Sequence, residues 1–558
     1  MKRLGKFLSL LLALAMLFVL SACGKSGSET PAPAGNPSSG GTGNASSGGS
    51  GNASSGSSSG TSAQPSEPEK KDEKYGGTLS LVIASTLSNV IGYPIGGAIQ
   101  EQVVATPAIE TLARYDISGN IVGWLAKDIK EDKEGLKIVL TLNEGVKYHD
   151  GTDFNAKAVC DVWQICMDNG YASKFSNVDH FEATGEYEVT VYLTTWMYDT
   201  VARICVEAGW MFSPSVYEKE GLEGLYTHVV GTGAFILEDF TIGESLTYVR
   251  NDNYWVEGLP YLDKIEYILA TDSTAASNIL RSGDAQVFLM TGGKLYSELL
   301  AEGFERVGVD TCIAPILQGV FFATGNQDDP LGDVLVRKAF CYAVDGQAIC
   351  DSLTYGAGVA TDELAVKGTP EYNDEVAAYP YNPEKAKELL AQAGYGDKPC
   401  PITLCYMTGN DTLFVALQGY LEAVGFKVEF DIVDPSVYAD RIVVGRSAPF
   451  TSGVQWTAPT KMAMWGRYFT TTPATMIVNQ MDMTEFIDCY TKIMTSTDDA
   501  EQHAAAMKLQ KLLIDEYCMC CPLYTSPTMS IGDGTAHDTG ICTYRNESWT
   551  PEVAWLSK

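Results

Sequence analysis

Hydrophobic and polar positions fall into three regimes along this chain. The first is an apolar run from Phe7 to Leu20, broken only by Ser9 and preceded by Lys2, Arg3 and Lys6. The second, residues 24 to about 66, is almost entirely Gly, Ser, Ala, Asn, Thr and Pro, with no aromatic and no aliphatic side chain larger than Ala. Such a segment cannot bury enough surface to offset the entropy of ordering it. About 50 residues of this kind have a random-coil reach of roughly 40 Å. The third regime, from Tyr75 to Lys558, carries the periodic patterns of a globular body. At about 480 residues it exceeds what one hydrophobic core serves, so at least two lobes are expected.

Several elements of that body can be read locally. Ile402 to Tyr406 is a short strand candidate; Thr412 to Val424 has helical spacing at Leu413, Leu417, Leu421 and Val424 and stops at Gly425; Lys427 to Ile432 alternates. A crossover of this length joins parallel strands, which predicts an α/β lobe with helices packed on a sheet. Asn382-Pro383 supplies an N-cap and first turn for a helix whose stripe is Ala386, Leu389, Leu390 and Ala393 and whose stop is Gly394. Further helices are predicted from about Asp333 to Val344 and from about Asp499 to Tyr517. Strands are predicted over Thr78 to Ala84, Leu136 to Leu142 and Val189 to Leu193.

Composition narrows the function by exclusion. The chain has 38 basic and 70 acidic residues; losing the three basic residues ahead of Phe7 would leave a net charge of −35. A nucleic-acid binder needs the opposite sign. After the first apolar run no stretch offers about 18 uninterrupted apolar residues, so no later membrane span is expected. Of the fourteen cysteines, Cys160 with Cys166, Cys400 with Cys405, and Cys518 with Cys520 and Cys521 are the local clusters. None has the paired spacing or nearby histidines of a zinc site, and no metal or cofactor is expected. A body this large has no need of a disulfide framework, and buried thiols then serve as small apolar residues.

Three short patterns suggest chemistry and lose it on inspection. Gly56-Ser57-Ser58-Ser59-Gly60 fits a nucleophile elbow, but that motif needs a strained strand-to-helix turn, which a Gly/Ser repeat does not supply. His149-Asp150 has no second histidine nearby and reads as a hydrogen-bonded turn. Gly293-Lys294 lacks the leading glycine of a phosphate-binding loop, because Phe288 stands in that position and Leu295 follows the lysine.

Leu20-Ser21-Ala22-Cys23-Gly24, behind the apolar run, resembles the lipobox of bacterial lipoproteins. The run is too short to span a bilayer and has the charged flank of a signal peptide. The resemblance implies that residues 1–22 are removed, that Cys23 becomes a diacylated N-terminus, and that residues 23–74 form a lipid-anchored tether on the outer face of the cell membrane.

The body resembles a family: the extracytoplasmic solute-binding proteins of the dipeptide, oligopeptide and nickel class of ABC importers. Tyr75-Gly76-Gly77-Thr78-Leu79 is similar to its opening strand, Ile109-Glu110-Thr111-Leu112 with Trp124-Leu125-Ala126 to its E-x-L and P-x-L-A segment, and Gly145 to Thr152 to its G-V-x-F-H-D-G-T turn. Gly231-Thr232-Gly233-Ala234-Phe235, Arg250-Asn251 with Tyr254-Trp255, Val336-Arg337-Lys338-Ala339 with Tyr342 to Asp345, and Tyr381 to Ala386 follow in the family's order.

The resemblance implies a two-lobed α/β clamshell of the type II periplasmic binding-protein kind. Residues 75–318 plus 525–558 would form one lobe, with an inserted subdomain at about 113–228, and residues 319–524 the other. It implies a monomeric, non-catalytic receptor that captures a small solute, a peptide first, and delivers it to an ABC permease with separate ATPase subunits. An oligosaccharide, a metal chelate or a sensor in place of the permease are alternatives within the same fold, and a surface-tethered hydrolase is a remote one. The family's W-x-A-D-Y cleft loop aligns with Trp456-Thr457-Ala458-Pro459-Thr460, where the acidic residue that grips a peptide's free amine is missing. Trp456, Thr457 and Ala458, with Tyr93, Trp465, Arg467 and Tyr468, are the candidate ligand contacts; core packing is the alternative for each aromatic.

Overall fold

The computed structural model describes residues 73–557, except 86, 88–90, 98, 117–119, 309–315, 323, 325–327, 366–371, 377–378, 408–410, 435–449, 456–483, 527–528 and 542–548. Cys23 and the tether therefore lie outside the described residues. Two large sheets organise the body. The first has seven strands in the order Glu305–Val307, Met529–Gly532, Val287–Thr291, Thr78–Ile83, Lys264–Leu269, Ser245–Arg250 and Phe235–Thr241. Thr78–Ile83 lies between two parallel partners, and Leu79, Leu81, Val82 and Ile83 are all buried, as a central strand covered on both faces requires. The helix Ser273–Ser282 packs against it, begun by Asp272, whose carboxylate accepts from the Thr274 and Ala275 amides, and ended by a left-handed Gly283.

The second sheet has six strands in the order Val359–Ala360, Cys520–Ser526, Ile316–Phe321, Phe450–Gln455, Cys400–Met407 and Phe426–Val433. Its edge is the predicted βαβ unit: Cys400–Met407 and Phe426–Val433 are parallel, joined by the helix Asp411–Val424, whose Leu413, Leu417, Leu421 and Val424 are buried. The Asn382 side chain accepts from the Lys385 amide to start Pro383–Leu390, and Ala386, Leu389 and Leu390 are the residues that helix buries. The helix Val334–Ala343 starts at an Asp333 cap. The C-terminal helix is regular only over Asp499–Lys511 and widens to a π turn at Leu512–Glu516.

A third sheet of four strands, in the order Ala126–Asp132, Lys137–Leu142, Glu188–Leu193 and Val178–Gly185, backs on the helix Ala156–Cys166; it is not hydrogen-bonded to the other two, and its buried face belongs to the same hydrophobic core as the first. It meets the second lobe: the Tyr198 amide donates to the Met494 carbonyl at 2.8 Å, and Lys133 Nζ lies 3.0 Å from an Asp499 carboxylate oxygen.

The chain passes from the first large sheet to the second between Val307 and Ile316, and returns between Ser526 and Met529. Residues 318 and 525, the expected changeovers, fall within strands of the second sheet. The two crossings are neighbours in space, because Ile316 and Ser526 are register partners. Two lobes joined by two adjacent connections can rotate about that line when the Tyr198–Met494 and Lys133–Asp499 contacts part.

Candidate functional site

The described part of the candidate site is the end of the second sheet at the crossings. Phe450–Gln455 runs antiparallel to Ile316–Phe321 and places Gln455 beside Ile316 at that end. Trp456, Thr457, Ala458, Trp465, Arg467 and Tyr468 lie outside the described residues. Nearby the lobes come close at Gly293, the first residue of the helix Gly293–Glu302, where an added Cβ would stand 3.1 Å from the Thr354 carbonyl oxygen at the end of the helix Gly346–Thr354. Glycine permits that approach, and Lys294 turns outward to Glu298 at 3.5 Å. The Gly-Lys pair thus serves packing between lobes.

Tyr93 is 1% exposed, with its ring enclosed by Tyr171, Phe212 and Tyr226 at centroid distances of 5.9, 5.4 and 6.3 Å. That is a core position in the first lobe. His149 and Asp150 form the expected turn: His149 Nε2 meets the Gly233 carbonyl at 2.9 Å, and Asp150 accepts from the Thr152 amide and hydroxyl and from Ser213 and Ser215. Burial pushes the Asp150 carboxyl upward, but these donors outweigh it and hold it at about 2.

The polar centre that sequence reasoning missed is Glu110. Its Oε1 accepts from the Trp124 indole and the Tyr254 hydroxyl, each at 2.7 Å, and its Oε2 from Thr232 Oγ1 at 2.7 Å and the Trp255 indole at 3.0 Å. Arg114 stacks on Trp124 at 3.7 Å from the ring centroid and bridges Glu110 to Glu552. Burial raises the Glu110 carboxyl above its ordinary range, while Arg114 and the four donors favour the charged form. Three of the motif pieces quoted above, Glu110's own segment with Trp124 included, therefore converge on one carboxylate whose work is to hold the first lobe together.

Three cavities, of ≈ 250, 560 and 930 Å³, are each lined from within a single lobe. Among the described residues no cluster of three His, Cys, Asp or Glu side chains could hold a metal ion, and no helix is long and apolar enough to cross a membrane.

One acid in the second lobe titrates near neutrality. Glu363 is 4% exposed with one carboxyl oxygen unpartnered, and burial, followed by the charge of Asp362, pushes its pKa to about 7. A folded-state pKa above the unfolded value contributes stability that is complete below the unfolded value of about 4.5 and is lost as pH rises through about 7. The melting temperature should therefore fall across that window, and Glu363→Gln, which mimics the protonated acid, should flatten the fall in parallel pH-dependent melts. An unchanged slope in the variant would count against this assignment.

Two α/β lobes joined by two adjacent crossings define the class of hinged, two-lobed solute-binding folds. The model described as "Bacterial extracellular solute-binding proteins, family 5 Middle" matches residues 120–476. The chain belongs to that family. It is 26% identical to the nickel-binding periplasmic protein of Escherichia coli (strain K12) over 352 residues, covering 59% of this chain and 67% of the relative. It is 28% identical to the glutathione-binding protein GsiB of Salmonella typhi over 377 residues, covering 65% and 72%. Among solved structures, the ABC transporter-associated periplasmic binding protein DppA from Helicobacter pylori, in complex with the peptide STSA, superposes with a TM-score of 0.71 at 18% identity, covering 87% of this chain and 99% of that one. Proteins of this family are extracytoplasmic, bind small solutes and work with ABC permeases.

Proposed function

We propose that the mature protein is a monomeric receptor, anchored by a diacylated Cys23 to the outer face of the cell membrane, that captures a peptide by closing its two lobes and hands it, unaltered, to an ABC permease driven by separate ATPase subunits. The observation that carries the reading is the pair of adjacent crossings, Val307 to Ile316 and Ser526 to Met529, in a chain of this family. A hinge there lets a solute stabilise the closed form to the extent that it binds that form better, which gives a permease a means of telling loaded from empty receptor. A peptide is favoured over other solutes by the peptide-bound H. pylori neighbour. Pro459 and Thr460 replace the acidic and aromatic residues of the family's cleft loop, so recognition is expected to rest on the peptide backbone and on stacking at Trp456 rather than on a free amine.

Equilibrium retention of defined peptides, oligosaccharides and nickel chelates by the secreted chain tests the solute class: peptides should be retained, and retention of only a sugar or a chelate would replace this reading. For the anchor, Cys23→Ser should abolish labelling by a fatty-acid probe and move the protein out of the membrane fraction. Labelling equal to that of the parent chain would refute the anchor.

A further inference from the structure

We propose that Cys341 and Cys518 form a reversible disulfide, with Cys518 as the attacking sulfur and Cys341 as the one that closes the bond. Cys341 lies on the helix Val334–Ala343, and Cys518 stands two residues ahead of the strand Cys520–Ser526. Their sulfurs are 3.5 Å apart although the residues are 177 positions apart in sequence. All eleven described cysteines are thiols, and this pair is in sulfur-to-sulfur contact.

Two features of the surroundings set this pair apart. The first is Arg337, one turn before Cys341 and 1% exposed. Its donors reach only carbonyls: Nε those of Cys518 at 3.0 Å and Tyr517 at 3.1 Å, Nη2 that of Tyr517 at 2.7 Å, and Nη1 those of Leu331 at 2.8 Å and Gly332 at 2.9 Å. Among the described residues no carboxylate forms an ion pair with it. A buried cation without an ion-pair partner is costly, and a thiolate formed at Cys518 would add to the charge of Asp333 in offsetting it. The second is the backbone of Cys518, whose φ of +45° lies in the left-handed region that non-glycine residues seldom adopt. That local cost persists because the surrounding structure holds the residue there, and strain of this kind gathers at functional positions.

The acidities of the two thiols diverge in the same sense. Burial acts to raise the Cys518 thiol, but its contact with Cys341 and the Arg337 charge bring it below its ordinary value. Burial and the neighbouring sulfurs push Cys341 well above its own. The two directions make Cys518 the thiol that ionises first and Cys341 the one that keeps its proton longer, the order an attacking and a resolving thiol need. The wall of the ≈ 250 Å³ cavity includes Cys341, Cys521 and Tyr379; Cys518 is fully buried 3.5 Å behind Cys341, so an oxidant reaches it when that wall opens.

The oxidant is a small-molecule disulfide, a class that extracytoplasmic settings tolerate. The Cys518 thiolate attacks one of its sulfurs, forming a mixed disulfide and expelling one thiolate. Cys341 then loses its proton and attacks the Cys518 sulfur, forming the Cys341–Cys518 bond and expelling the second thiolate; both leaving groups take up protons. Two protein thiols become one disulfide and the reagent disulfide becomes two thiols, a transfer of two electrons. The bond ties a core helix of the second lobe to the start of the strand Cys520–Ser526, the end opposite the return crossing. The inference holds whatever solute is bound.

The test treats the full mature chain at neutral pH with oxidised glutathione, quenches it in denaturant with N-ethylmaleimide, and maps the peptides by mass spectrometry. A Cys341–Cys518 linked peptide should dominate, vanish after reduction, and accompany a melting temperature several degrees above that of the reduced protein. In Cys341→Ser, glutathione should accumulate as a single adduct on Cys518; in Cys518→Ser, residue 341 should remain unmodified. Full alkylation of both residues in the oxidised sample, a dominant link from Cys341 to Cys520 or Cys521, or a glutathione adduct at another residue in Cys341→Ser would overturn the proposal.

Discussion

Glu110→Ala is expected to destabilise the first lobe by about 3 to 5 kcal/mol, the range for removing one partner from a buried charged network. The reason lies in what the carboxylate leaves behind. Two indole N–H groups, two hydroxyls and the Arg114 guanidinium all point toward it, and truncation strands these donors where water does not reach. Glu110→Gln should be nearly as damaging, although it is isosteric. Each carboxylate oxygen accepts from one indole, Oε1 from Trp124 and Oε2 from Trp255, and an indole N–H cannot reverse its polarity. Either orientation of the amide therefore sets its NH₂ against a tryptophan donor. Chemical denaturation of both variants checks this, and a loss below about 1 kcal/mol in either would show that the network is not the structural centre described above.

The second large effect concerns binding. Trp456→Ala is expected to weaken capture of a peptide by about thirtyfold or more, since a buried aromatic anchor commonly contributes about 2 kcal/mol or more to an interface. The unliganded melting temperature should stay within a few degrees of the parent. A core tryptophan would behave in the opposite way, costing about 3 to 5 kcal/mol of stability on truncation, so paired melts with and without ligand separate the two roles. Because the acidic residue of the family's cleft loop is replaced at Pro459, N-acetylating the bound peptide should change its affinity by less than about tenfold. A drop of about a hundredfold would mean that another acid grips the amine.

What the sequence disclosed follows from the range over which each signal acts. The unit Cys400–Met407, Asp411–Val424 and Phe426–Val433 was legible because its strand and helix periods, its glycine stop and its short connections are all local. The Asn382 and Asp333 caps were legible for the same reason. The C-terminal helix was read as regular to Tyr517, but apolar spacing does not register the π turn at Leu512–Glu516. Glu110 stayed hidden because its partners come from positions 124, 232, 254 and 255, brought together only by tertiary packing; its one sequence signal was that each partner sits in a segment shared with the family. Tyr93 was read as a possible ligand contact from a Gly-Tyr-Pro loop, and nothing in that loop announces Tyr171, Phe212 and Tyr226 closing around it. The contact between Cys341 and Cys518 was equally invisible, for the two lie 177 positions apart.

Reversible capture without turnover is tested by a thermal-shift titration of the chain with peptides, each ligand then recovered and weighed by mass spectrometry. A peptide at 100 times its Kd should stabilise the folded protein by about 2.7 kcal/mol through mass action alone, a readily visible rise in melting temperature, and should be recovered with its mass unchanged. Chemical conversion of a bound peptide, or stabilisation by no peptide at any concentration, would contradict the account.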